Sequence, residues 1–168
     1  MKDPNVVEIV LKCESYLVPI NNQWDGQFTS FIKQTMKEKN KNLTIPFRMQ
    51  ISTFTLPTKP SGAIMIGIGS GVAPFMGMIE HKQLAKEGSS ADIFNEMNLI
   101  FGIRNKNEDY IEQQFFEEAV DKKTLESLNI VESRAGKARY YVQDFIRDNT
   151  ELIANGILED GAAIYICG

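Results

Sequence analysis

AIMIGIGSGVAPFMGMI, residues 63–79, is the stretch on which the rest of the chain is read. Ala63 to Ile66 is a short apolar run of the kind that forms a buried strand. It feeds a glycine turn, Gly67-Ile68-Gly69-Ser70-Gly71, and a helix is predicted from Val72 to Lys86. Pro74 falls in the first turn of that helix, where a missing N–H removes no intrahelical bond. A strand, a glycine turn and a helix start together make a phosphate-binding arrangement. Unsatisfied N–H groups and the positive end of the helix dipole face one spot, and glycine lets a ligand approach the backbone closely. The spacing is GxGxG, which is neither the GxGxxG dinucleotide fingerprint nor a P-loop, because no Gly-Lys-Ser/Thr follows. Spacing alone leaves open a tight strand-to-helix turn that holds nothing.

Outward from this stretch the chain alternates. Strands are predicted at Met97–Ile103, Leu128–Val131 and Ala162–Cys167, and helices at Asp109–Lys122 and Tyr141–Asn149, the last continuing towards Asn155. Ile111, Phe115, Phe116 and Ala119 keep helical spacing. Alternation of this kind implies an α/β domain with a parallel sheet, right-handed crossovers and helices on both faces. Ligands then bind beyond the carboxyl ends of the strands, where Gly67, Arg104, Ser133 and Gly168 are expected.

Before residue 63 the signals differ. Val6–Cys13, Leu43–Met49 and Ile51–Leu56 read as strands, Asn21–Gly26 and Lys37–Asn42 as polar loops, and Thr29–Lys39 as a helix. Pro57-Thr58-Lys59-Pro60-Ser61-Gly62 is rich in turn residues and is the expected domain boundary.

Composition bounds the function. The 168 residues are 43% hydrophobic, which suits a globular protein of one domain and part of a second. The formal net charge of −4 gives no global basic field for nucleic acid. No apolar run approaches the ~20 residues of a membrane span, and MKDPNVVEIV is not a signal peptide. The two cysteines, Cys13 and Cys167, form no CxxC, so no metal site is expected. The single histidine, His81, lies in the helix after the glycine turn and reads as a surface or boundary residue rather than a ligand. A cytoplasmic protein with reduced thiols is the expectation.

The second strand ends at Arg104, where a fingerprint NAD site has an acidic residue for the ribose 2′-OH. The third ends in Ser133-Arg134-Ala-Gly-Lys137-Ala-Arg139-Tyr140-Tyr141. Three cations, a serine hydroxyl and two tyrosines within this loop suit a phosphate-bearing nucleotide. Arginine grips phosphate bidentately, lysine adds a point charge, and a tyrosine face stacks on adenine. A solvated basic loop is the alternative.

The wider strings support the nucleotide-binding alternative by resemblance. Gly67-Ile-Gly-Ser-Gly-Val-Ala-Pro-Phe-Met-Gly77 resembles the GPGTGIAPFRG motif of the ferredoxin–NADP reductase superfamily, with Ile68 for proline and Met76 for arginine. SRAGKARYYVQ, residues 133–143, is similar to the S-R-x(4)-K-x-Y-V-Q segment of the diflavin reductases, with Arg139 for the lysine. FGIRN, residues 101–105, resembles their F-G-C-R-N/R, and AIYICG, residues 163–168, their A-x-I-Y-V-C-G. GQFTSFI, residues 26–32, resembles their G-V-C/A-T/S-x-W/Y-L flavin stretch, with bulky Phe28 in the small residue's place, and STFTLP, residues 52–57, resembles their S-x-F-x-L-P.

The resemblance implies an NADPH-binding module of a diflavin-type oxidoreductase that passes hydride from NADPH to FAD for onward electron transfer. It implies that Gly67, Gly69, Ser70, Gly71 and Val72 hold the pyrophosphate. Arg104, Ser133, Arg134, Lys137, Arg139, Tyr141 and Gln143 would hold the 2′-phosphoadenosine side, and Cys167 would lie beside the nicotinamide. Gly26, Phe28 and Thr29 would face FAD; from the residues alone they are a glycine loop and a hydroxyl helix cap. Residues 1–60 would be part of a flavin-binding β-barrel and residues 61–168 an NADP(H) domain truncated at its end. A flavin domain or an electron-acceptor protein is the implied partner. The R-x-Y-S flavin motif of the family occurs nowhere in the chain. Its absence keeps open a non-catalytic nucleotide-binding or interaction protein derived from a reductase.

Overall fold

The computed structural model describes residues 9, 22–38, 44–46, 48, 50, 54–159 and 161–168, together with residues 15–18; residues 15–18 and 22–25 are described by backbone alone. The chain forms two compact units, Met1–Thr53 and Phe54–Gly168.

In the first unit, β1 (Ser15–Val18) pairs antiparallel with β2 (Asn22–Asp25), and α1 spans Gln27–Lys37. The polar loop expected at Asn21–Gly26 is therefore a strand over most of its length. The ladder pairs Tyr16 with Trp24 and Leu17 with Gln23, so backbone bonding overrides the polar composition. α1 begins two residues before the predicted Thr29, with Gly26 as its N-cap. Val6–Cys13 lies outside the described residues except for Ile9. Of the strands expected at Leu43–Met49 and Ile51–Leu56, the described residues 44–46, 48, 50 and 54–56 belong to none. Pro46 has no N–H to give a ladder.

The second unit is built on four parallel strands: β3 (Ser61–Ile68), β4 (Phe94–Ile103), β5 (Ser127–Glu132) and β6 (Ala163–Cys167), in the order β5-β4-β3-β6. Each predicted strand is present, β3, β4 and β5 with wider bounds and β6 one residue shorter at its start. The helices fall on both faces, as the alternation implied. α2 (Ala73–Lys86), α3 (Lys106–Asp109) and α4 (Gln113–Asp121) follow β3 and β4; α5 (Val142–Asp148) and α6 (Thr150–Leu158) lie between β5 and β6.

Strand residues alternate between two cores. Ala63, Met65, Leu99, Phe101 and Ile103 face one side, where they meet Phe75, Met78 and Ile79 of α2 and Phe116 and Ala119 of α4. Ile64, Ile66, Ile100 and Val131 face the other, against Val142, Phe145, Ile146 and Ile153 of α5 and α6. Burial on both faces explains the near-continuous apolar runs of β3 and β4, whereas the edge strand β6 leaves Ile164 and Ile166 exposed. Each fully buried side chain contributes about 1.5–3 kcal/mol. Gly156 lets α6 approach β3: a Cβ there would stand 2.9 Å from Ile64 Cδ1.

Two helices depart from expectation. The helix predicted over Asp109–Lys122 is interrupted, with Glu112 in the left-handed region at φ 50°. The break lets Tyr110 and Ile111 pack on the core; the Tyr110 ring meets Phe101 at 6.0 Å between centroids. The stretch from Tyr141 is likewise two helices, divided at Asn149 (φ −120°, ψ 40°), whose side chain donates to the Phe145 carbonyl at 2.8 Å.

Phe54–Pro60 belongs to the same unit as the sheet without joining it as a strand. Phe54 packs on Phe75 and Tyr165, with ring centroids 5.9 and 5.5 Å away, and the Tyr165 hydroxyl donates to the Thr55 carbonyl at 3.1 Å. Among the described residues no helix is long and apolar enough to cross a membrane.

Candidate nucleotide site

In an order β5-β4-β3-β6, the chain leaves β3 towards β4 on one side and returns to β6 on the other. Loops diverge at the carboxyl ends of β3 and β6, and a crevice forms there. The glycine stretch sits at this point. Gly67 lies within β3, paired with Phe101 on one side and Cys167 on the other. Its bare α-carbon lets the turn fold back, because a Cβ would meet Val72 Cα at 3.0 Å and the Phe75 ring at 3.2 Å.

Gly69 takes a left-handed φ of 56° and opens a 3-10 turn, Gly69–Val72, which runs directly into α2. A Cβ on Gly69 would meet nothing within 4 Å, so the turn presents open backbone. Gly71 is closely packed instead: a Cβ there would lie 2.3 Å from the Cys167 carbonyl oxygen. The turn therefore rests on the Cys167–Gly168 backbone. Val72 is fully buried and anchors it, Ser70 is exposed, and no side chain caps the start of α2. Unsatisfied N–H groups at such a start suit an anionic group. The Cys167 thiol is half-buried, free of any disulfide, and packs on the α2 face.

A second cluster lies at the ends of β4 and β5. Ser133 N–H donates to the Ile103 carbonyl at 2.8 Å and Arg134 N–H to the Arg104 carbonyl at 2.9 Å. The ladder thus continues past the strand ends and brings Arg104 beside Ser133 and Arg134. Both arginines are exposed. Lys137 and Arg139 lie further along the same exposed loop.

The loop ends at Tyr141, the N-cap of α5. The Asp144 carboxylate accepts the Tyr141 N–H at 2.9 Å, and the Asp144 N–H donates to the Tyr141 carbonyl at 2.9 Å. That hydrogen bond from the Tyr141 N–H, helped by Arg147 at 3.0 Å, holds the Asp144 carboxyl below its ordinary value. The Tyr141 side chain is left half-exposed, and Gln143 is exposed on the first turn of α5. Gly102 permits the approach of α5, since a Cβ there would stand 2.6 Å from Val142 Cγ2.

The structure thus joins the glycine turn to Cys167, and Arg104 to Ser133–Arg134, all at the carboxyl ends of parallel strands. His81 faces the Ala91 carbonyl at 3.2 Å on the approach to β4, away from those ends, as a boundary residue does.

Residues 65–168 match the family described as the oxidoreductase NAD-binding domain. The chain belongs to that family. It is similar to NADPH–cytochrome P450 reductase of Drosophila melanogaster, 35% identical over 167 residues that cover 98% of this chain and 24% of that protein. The reductase of the same name from Salmo trutta is 43% identical over 118 residues, 70% of this chain and 19% of that protein. That from Mus musculus is 32% identical over 168 residues, 98% and 24%. These relatives bear out the resemblance to the C-terminal part of a diflavin reductase. The chain spans about a quarter of the length of the curated relatives it matches.

Two residues of this NAD-binding domain escaped the sequence reading. Asp144 is signalled by its place three residues after Tyr141, the spacing of a capping box. Glu132 carries no local signal; its carboxylate acts on the loop after β4. In the first unit, Gly26, Phe28 and Thr29, the residues expected to face FAD, lie together at the start of α1. The Thr29 hydroxyl donates to the Gly26 carbonyl at 3.2 Å, within its own helix turn, and the Phe28 side chain stands exposed in the small residue's place.

Proposed function

We propose that the chain is the NADPH-binding module of a diflavin-type oxidoreductase. Residues 61–168 are the nucleotide domain in this reading, and residues 1–60 a segment of a flavin-binding barrel; the antiparallel β1–β2 pair supports the latter. The carrying observation is the meeting of the glycine turn with Cys167–Gly168 and of Arg104 with Ser133–Arg134 at the same end of the sheet.

Each group has a task. The N–H groups of Gly69–Val72 and the start of α2 bind the pyrophosphate, with Gly67 and Gly71 setting the turn. Arg104, Ser133 and Arg134 take the 2′-phosphate, and Lys137 and Arg139 raise the local positive potential. Tyr141 stacks on the adenine, its backbone fixed by Asp144, with Gln143 beside it. Cys167 contributes a small, half-buried surface against which the nicotinamide is oriented. NADPH supplies a hydride, which in an enzyme of this type goes to FAD. In this reading the chain's own contribution is binding and orientation of the nucleotide.

Calorimetric titration with NADP⁺ and NAD⁺ tests the reading. A preference for NADP⁺ of about tenfold or more, equal to ~1.4 kcal/mol, is expected, and Arg134→Ala abolishes it. Equal affinities, or no binding, favour a non-catalytic interaction protein instead.

A further inference from the structure

We propose that Glu132 is a positioning residue for the 2′-phosphate edge, an inference that rests on the nucleotide site proposed above. Glu132 is the last residue of β5 and pairs with Ile103. Its Oε1 accepts the Lys106 N–H at 2.7 Å, and its Oε2 lies 4.0 Å from Lys106 Nζ. Asn105 Oδ1 accepts the Asn107 N–H at 2.8 Å in the same turn. The chain just after Arg104 is therefore held by a carboxylate that arrives from the neighbouring strand, 26 residues later.

Beyond the Ser133 N–H bond to the Ile103 carbonyl, a backbone bond and a side-chain bond tie the two loops together. One is backbone, from Arg134 N–H to the Arg104 carbonyl; the other is the Glu132 carboxylate on Lys106 N–H. Together they bracket Arg104 and fix the stem from which its long side chain leaves. A carboxylate near a phosphate site repels the ligand unless it is neutralised. Here the Lys106 ammonium and N–H oppose its charge. The ion pair is solvent-exposed and weak. The charge-assisted bond to the backbone N–H is the stronger link.

The test is titration of the full chain and its variants with NADP⁺ and NAD⁺. Glu132→Ala weakens NADP⁺ binding by about tenfold and leaves NAD⁺ binding nearly unchanged. Glu132→Gln keeps a carbonyl acceptor and restores most of the NADP⁺ affinity. Lys106→Pro, at the first position of α3, removes the donated N–H at a site that tolerates proline, and gives the same selective loss with Glu132 intact. Unchanged NADP⁺ binding in Glu132→Ala and Lys106→Pro overturns the inference, as does an equal loss for both nucleotides. A parent chain that prefers neither nucleotide overturns the underlying site, and is seen before any variant is made.

Discussion

Gly71 and Gly77 stand six residues apart and predict opposite outcomes for one substitution. A Cβ on Gly71 would overlap the Cys167 carbonyl oxygen at 2.3 Å, and that backbone is fixed by its pairing with β3. Gly71→Ala costs about 1–3 kcal/mol and weakens nucleotide binding, because the turn must lift off Cys167. Gly77 lies within α2 with nothing within 4 Å of the new methyl. Gly77→Ala gains about 0.5–1 kcal/mol and leaves binding alone. Denaturant melts and nucleotide titration of both variants check the pair. The sequence identifies both glycines but not their difference. Gly71 is constrained by β6, which arrives almost a hundred residues later and settles beside β3.

At the scale of elements, α5 carries the pH prediction. Asp144 holds the N–H of Tyr141, and that bond depresses its pKa below the ordinary 3.8. A depressed carboxylate stabilises the fold fully above its unfolded value and loses that contribution as pH falls through the folded one. Asp144→Ala therefore melts below the parent at neutral pH, and the gap closes in acid, well below 3.8. Thermal melts of the two proteins across that range measure it; a gap that persists in acid contradicts the assignment. The four strands of the sheet were legible because each has a short apolar run at its centre, bounded by turn residues. The break at Glu112 was not. Ile111, Phe115, Phe116 and Ala119 keep helical spacing across it, and periodicity does not register that Tyr110 must turn inward to reach Phe101. The polar strand Asn22–Asp25 was missed for the converse reason, since its hydrogen bonds come from its partner strand.

For the whole molecule, strand order converts separate motifs into one surface. Parallel strands put Gly67, Arg104, Ser133 and Gly168 at a common end, which alternation alone predicts. That Arg104 touches the Ser133–Arg134 stem, and that Glu132 locks the same loop, follows from pairing β4 with β5 in one register. No local pattern encodes that register. The most direct measurement of the central claim is amide chemical-shift mapping of the chain with NADP⁺ and NAD⁺. The account predicts that NADP⁺ shifts Gly69–Val72, Arg104, Ser133, Arg134, Tyr141 and Gly168, and that NAD⁺ shifts the glycine turn while leaving Ser133 and Arg134 near their free positions. Shifts at the amino ends of the strands, or the same response of Ser133 and Arg134 to both nucleotides, would contradict it.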